Sequence, residues 1–224
     1  SVLAAGAGGA VILIIPARGG SKRIPRKNIR PFLGAPILTY PILVAQESGL
    51  FSRIVVSTDD DEIRAIAVSA GASAHRRPGE LARDTASVES VCRDVLECGA
   101  CFDGYERFAC TFPTSVFTTV EHWKLAAIKL ECGWPAVYSA RYYSPPIYRA
   151  MDSNGWVFPE FKDSRTQDCP EAWHDAGQFY MLAKWAPSFL DVPGRAAIML
   201  SRAVDIDEPE DWPVAEALYR EMHK

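Results

Sequence analysis

The chain predicts an α/β fold, a Rossmann-like, doubly wound and mostly parallel sheet carrying one β-rich insertion. Three observations carry that prediction. Residues 11–15 are an unbroken apolar run, the pattern of a strand buried on both faces and not of one alternating between core and water. Strand-like and helix-like stretches then alternate, as they do where crossover helices join parallel strands. The rhythm breaks once, over about 141–173, where prolines and aromatics accumulate.

The elements follow in order. The first strand, 11–15, runs into a glycine- and cation-rich loop. A helix is expected over 37–48, a strand over 53–57 and a helix from Asp60 to Ala70, for which Asp59 with Glu62 fits an N-cap and its N3 partner. Residues 72–76 read as a strand. Arg77 stands before Pro78, which holds it extended, and Ser87 is placed to cap a helix over 88–98. Strand 107–112, helix 120–131 and strand 136–140 continue the alternation. Inside the insertion, Asn154-Gly155 between 148–151 and 156–158 is a hairpin signal. The sheet resumes at 178–182 and 196–199, and a helix over 209–223 closes the chain.

The loop after the first strand holds Gly19, Gly20, Ser21 and five cations, Arg18, Lys22, Arg23, Arg26 and Lys27. Glycines let a ligand approach the backbone, and clustered cations suit a polyanion, most obviously a triphosphate. Its place at the carboxyl end of a strand is where open α/β sheets bind ligands. The competing reading is a solvated basic turn. Neither common phosphate loop fits. Ile15 stands where a Walker A motif needs its first glycine, and Ser21, not lysine, follows Gly20. The Gly6-Ala7-Gly8-Gly9 cluster precedes the strand, so the dinucleotide fingerprint is also missing.

Asp205 and Asp207 lie two apart, which on an extended segment puts both carboxylates on one face, as Mg²⁺ sites require. Capping of the next helix explains Asp207 equally well but leaves Asp205 unexplained. Bulk properties bound the rest. A chain of 224 residues with net charge −4 suits one domain, and its basic loop stands against an acidic background. The absence of a basic stripe with interleaved aromatics argues against nucleic acid, and no apolar run reaches membrane-spanning length. Residues 1–10 read as a flexible tail lacking the charged and apolar regions of a signal peptide, so a cytoplasmic location is expected. Cys98 and Cys101 form a CxxC without a second pair, so free thiols are expected from the six cysteines.

Residues 15–28, 54–60, 77–87 and 174–180, with Asp205-Ile206-Asp207, resemble in order the signature blocks of sugar nucleotidyltransferases that use CTP and an acidic sugar. The resemblance is to the CMP-sialic acid synthetase family and, within it, to the pseudaminic acid branch. It implies the nucleotide-diphospho-sugar transferase fold as a single domain over 11–224, with the 141–173 arm building a homodimer. It also implies transfer of CMP from CTP to the anomeric hydroxyl of a nine-carbon 2-keto sugar acid, most nearly pseudaminate. Legionaminate, sialate or KDO are alternative acceptors. A regulatory nucleotide-binding protein without turnover is the alternative from another class.

Site residues follow from the same resemblance. Arg18 and Lys22 would hold the β- and γ-phosphates, and Lys27 the α-phosphate. Ala17, Gly19, Gly20, Ser21 and Asn28 would complete the nucleotide contacts, while Arg77 and the Ala86–Ser87 backbone would read cytosine. Phe112 stands where the family commonly has glutamine, which disfavours sialate; with Thr114, Arg165, His174, Asp175 and Gln178 it forms the expected sugar-facing set. Asp205 and Asp207 would bind Mg²⁺. No side chain stands out as a general base.

Overall fold

The computed structural model describes residues 10–98, 105–143, 146–183, 186 and 188–224. The small-residue start up to residue 9 and Cys101 lie outside them. The apolar run becomes β1 (Ala10–Pro16), an interior strand of a seven-stranded sheet. After it come β2 (Pro31–Phe32), β3 (Ala35–Pro36), α1 (Thr39–Ser48), β4 (Arg53–Thr58), α2 (Asp61–Ser69) and β5 (Ser73–Arg76). Next are α3 (Val88–Glu97), β6 (Tyr105–Thr111), α4 (Val120–Glu131) and β7 (Ala136–Tyr142). The chain ends with β8 (Met151–Asp152), β9 (Gly155–Trp156), β10 (Trp173–Ala183), β11 (Ala196–Met199) and α5 (Asp211–Met222). Among the described residues no helix is long and apolar enough to cross a membrane.

The sheet order is β11-β7-β10-β6-β1-β4-β5. β1 runs parallel to β4 and β6, and packing on both faces of the sheet buries its side chains. Leu13 and Ile15 point into one core with residues of α1, α2, α4 and α5, while Ile12 and Ile14 point into a second core with α3, Phe189 and Val192. Each fully buried aliphatic side chain here contributes about 1.5–3 kcal/mol of burial. The sheet is therefore wound on both sides but unequally.

β10 alone opposes its neighbours, pairing antiparallel with both β6 and β7. No crossover helix joins β7 to β10; the arm does, and a chain that turns back on itself returns antiparallel. β10 also begins at Trp173 and not at 178, because Trp173, His174 and Asp175 pair with Tyr142, Arg141 and Ala140 before the register shifts ahead of Tyr180. Gly177, at φ 61°, sits in that irregularity. Within the arm, β8 and β9 form the hairpin at Asn154-Gly155, but most of the remainder is short 3₁₀ turns at Ile147–Arg149, Pro159–Phe161 and Thr166–Asp168. Tyr148 packs between Phe158 and Phe161 at 5.3 and 4.6 Å, giving the arm a small cluster of its own.

Two helices start later than their periodicity suggests. Ile37 and Leu38 are buried in the turn that follows the β2–β3 hairpin, so α1 opens at Thr39. α5 opens at Asp211, whose carboxylate accepts the N–H groups of Asp207 and Glu208 at 2.9 and 2.7 Å. Phe32 of the hairpin meets Trp212 and Tyr219 of α5 edge-on at 5.8 and 5.6 Å, which fixes the chain around residues 205–207 near the loop that follows β1.

Candidate active site

The loop between β1 and residue 28 is held by α2. Asp60 caps this helix, accepting from the N–H groups of Glu62 and Ile63 at 2.9 and 3.0 Å; the expected cap, Asp59, instead accepts the Gly19 N–H at 2.9 Å. A Cβ on Gly19 would lie 2.7 Å from Asp60 Oδ2, so only glycine fits that contact. Arg26 reaches back to Asp60 and Glu62 and pulls the Asp60 carboxyl down to about 2, chiefly through its hydrogen bond. Arg26 adopts φ 55°, a left-handed conformation costing about 1–2 kcal/mol. Exposed ion pairs contribute roughly 0.2–1 kcal/mol each, so these contacts offset the strain without much surplus. Asn28, buried, donates to the Arg18 carbonyl at 2.8 Å and closes the loop.

The loop faces a cleft of about 470 Å³. Arg18, Lys22, Arg23, Lys27, Arg77 and Arg83 line it, against Asp84, Asp205 and Asp207. Six cations over three carboxylates give it a net positive character, in a chain whose overall charge is −4. Lys27 Nζ donates to the Ile206 carbonyl at 2.8 Å and to Asp207 at 3.0 Å, and Arg23 binds Asp207 and Glu208 at 2.9 and 2.7 Å. Burial works against ionisation of Asp207, but hydrogen bonds and charge from Lys27, then Arg23, outweigh it and lower its pKa. Its carboxylate therefore caps nothing; it pairs with the loop.

Asp205 differs. Among the described residues nothing donates a hydrogen bond to it, and loss of water within the cleft, followed by repulsion from Asp207, raises its pKa. An exposed carboxylate with no protein donor, beside a second carboxylate, suits a hard cation whose remaining ligands are water and phosphate oxygens. No group of three or more acidic, histidine or cysteine side chains gathers as a ready cation site among the described residues. A bound Mg²⁺ would thus share its ligands with substrate. The segment is fixed from behind by Leu200 N–H on the Ala140 carbonyl at 2.8 Å and by Arg141 on the Ala203 carbonyl.

At the other end, Arg77 is buried. Its Nε and Nη2 donate to Ser57 Oγ and the Ser57 carbonyl at 3.3 and 2.7 Å, leaving Nη1 as the remaining donor nitrogen. Desolvation lowers its pKa and nearby Asp59 counters this. Ala86 and Val88 wall the same region, while Ser87 points its hydroxyl at the Ser90 N–H and caps α3. Phe112, Pro113 and Thr114 follow β6 along the floor, where Phe112 meets Tyr180 edge-on at 6.2 Å.

Most of the residues expected from sequence converge here: Arg18, Ser21, Lys22, Lys27, Asn28, Arg77, Ala86, Phe112, Thr114, Asp205 and Asp207 all line the cleft. Ala17 and Gly19 instead build the loop, their N–H groups bound to the Ser57 carbonyl and Asp59, and Gly20 lies outside the lining. His174, Asp175 and Gln178 also stay outside. His174 bonds the Asp175 carbonyl, the Asp175 carboxylate accepts from Gly177 N–H and Tyr180 hydroxyl, and Gln178 is buried behind the strand. Arg165, on the arm, pairs with Asp168 at 2.7 Å. Gly177, Tyr180 and Arg83 line the cleft without having been singled out. Tyr180 and Gly177 lie in the 174–180 block, but the register shift in β10 decides which of its residues face the cleft.

A phosphate-type loop after the first strand, a cation-lined cleft and a paired acidic segment on a doubly wound sheet define a nucleotidyl-transfer site. The cytidylyltransferase family model matches residues 12–123, and the chain belongs to that family of enzymes. It is 35% identical to a pseudaminic acid cytidylyltransferase of Campylobacter jejuni over 95% of this chain and 97% of the relative. It is 33% identical to the CMP-N,N'-diacetyllegionaminic acid synthase of Legionella pneumophila over 93% and 95%. Among solved structures, a CMP:2-keto-3-deoxy-manno-octonic acid synthetase complexed with CTP shares the fold at TM-score 0.68 and 13% identity, over 95% of this chain and 99% of that one.

Proposed function

We propose that the protein transfers CMP from CTP to the anomeric hydroxyl of pseudaminate, releasing pyrophosphate. The observation that carries this reading is the six-cation cleft ending at Asp205 and Asp207, in a chain matching a pseudaminic acid cytidylyltransferase along nearly its whole length. The hydroxyl oxygen attacks the α-phosphorus in line; the bond to the β-phosphate oxygen breaks, and pyrophosphate carries the electron pair away. Arg18 and Lys22 neutralise the β- and γ-phosphates and Lys27 the α-phosphate, where charge develops. Arg77, aimed by Ser57, offers its free donor to the cytosine carbonyl, and the Ala86 backbone borders the base. Mg²⁺ held by Asp205 and Asp207 would supply charge neutralisation at the phosphates and acidify the attacking hydroxyl. Phe112 and Tyr180 give the acceptor an aromatic wall.

The arm supports a homodimer. It exposes Tyr142, Met151, Val157 and Trp173, an apolar concentration unlike an ordinary solvated loop. Arg165, outside this chain's own cleft and paired with Asp168, would serve at that interface. The soluble nucleotide chemistry fits a cytoplasmic location.

The test is pyrophosphate release from CTP and from UTP, each with pseudaminate, N,N'-diacetyllegionaminate, sialate and KDO. Turnover fastest with CTP and pseudaminate is expected, with UTP lower by about 10³ because a hydrogen-bonding base site discriminates strongly. Preference for another sugar acid reassigns the acceptor, and equal use of UTP removes the cytosine assignment.

A further inference from the structure

Two cations assigned to the triphosphate already share one counter-ion. Arg18 and Lys22 both bind the carboxylate of one residue, Asp84. Asp84 comes from the opposite wall, in the turn between the 3₁₀ segment Gly79–Ala82 and α3, where Ala86 N–H bonds the Arg83 carbonyl at 3.2 Å. The turn is anchored on both sides, by Arg77 N–H on the Thr58 carbonyl at 2.9 Å and by the Ser87 cap. Among the described residues, the Asp84 side chain has no partner besides these two cations. Its side chain is 45% exposed, so nothing packs it in place.

We infer that Asp84 is a stand-in anion, binding Arg18 and Lys22 from the facing wall of the cleft, yielding them to a polyphosphate and competing for them again as pyrophosphate leaves. The inference rests on the reading that these two cations bind polyphosphate. Three physical points support it. Arg18 repels Arg77 within the cleft, and a carboxylate shared by Arg18 and Lys22 offsets the crowding of like charge there. A carboxylate and a phosphate chain on the same two cations repel each other in turn, so occupancy is exclusive. The release needs only a side-chain rotation from an anchored turn, not a loop opening. Hydrogen bonds from Lys22, then Arg18, keep the carboxyl below its usual range, so it is ionised wherever the enzyme's phosphates are.

A structural rivet or a ligand for a further cation would give the opposite sign. Removing either weakens CTP binding, whereas removing a competing anion strengthens it. The experiment measures binding of inorganic pyrophosphate by calorimetry, at fixed Mg²⁺ and about 0.1 M salt, to the parent, Asp84→Asn, Asp84→Ser and Arg18→Ala proteins. Melting temperatures serve as the folding control. Both Asp84 variants should bind pyrophosphate about three- to tenfold more tightly, the scale of two exposed ion pairs. Their KM for CTP should fall, product inhibition by pyrophosphate should strengthen, and the gain should shrink at high salt. Arg18→Ala should weaken binding about tenfold or more. If Arg18→Ala leaves binding unchanged, the polyphosphate assignment fails. If Arg18→Ala weakens it while both Asp84 variants bind equally or less tightly, the stand-in role is overturned.

Discussion

At the scale of single residues the site turns on how Lys27, Asp205 and Asp207 divide their labour. Lys27 bonds Asp207 and the Ile206 carbonyl, which joins the loop directly to the acidic segment. Asp205 is exposed and, among the described residues, takes no protein hydrogen bond. If both carboxylates hold Mg²⁺, losing one already displaces or distorts the ion. Asp205→Asn and Asp207→Asn should each lower kcat by about 10²-fold or more with melting temperature held, and the double variant should be little worse. An active Asp205→Asn enzyme with an unchanged Mg²⁺ requirement would exclude the pair. The spacing of these acids was legible because period two on an extended segment is a local rule. The partners were not: nothing near Asp207 announces that Lys27 and Arg23, about 180 positions earlier, neutralise it, or that Asp84 meets Arg18 and Lys22.

Among the elements, periodicity identified the helices and most strands, since a buried stripe shows directly in the sequence. Ends were harder. Asp59 and Asp60 both satisfy the preference for an acidic N-cap, and only the Gly19 amide decides between them. The start of β10 was hidden because Trp173 to Asp175 pair through their backbone while their side chains are exposed or polar. The cap of α2 gives a pH-dependent expectation. The Asp60 carboxyl falls from the ordinary 3.8 to about 2. A depressed carboxylate stabilises the fold above its unfolded pKa and loses that contribution as pH falls through the folded one. Asp60→Asn keeps a good cap and removes the pair with Arg26. Its melting temperature should lie about 2–4 °C below the parent at pH 6, for a loss of roughly 1 kcal/mol, and the gap should close between pH 4 and 2. A gap that persists at pH 2 would place the loss in the cap.

At the scale of the whole molecule the α/β class was plain from sequence, while the content of the arm was not, because short 3₁₀ turns leave no periodicity. The arm makes the oligomeric state testable. Light scattering at micromolar concentration should return a dimer, and Met151→Asp with Val157→Asp should shift it toward monomer without lowering helix content; a monomeric parent protein would remove the arm from the interface. The antiparallel strand has a consequence of another kind. β10 fills a slot between β6 and β7, yet the chain makes β7 first and spends some thirty residues on the arm before returning. A nascent chain that has emerged only as far as β7 therefore carries two facing ladders of unpaired amides and carbonyls at the heart of its future sheet, not at its rim. Neither half of the sheet can weld to the other until the ribosome has released residue 183. The arm thus sets the waiting time of synthesis, and for that interval the open slot is where the growing polypeptide is most exposed to capture by another strand.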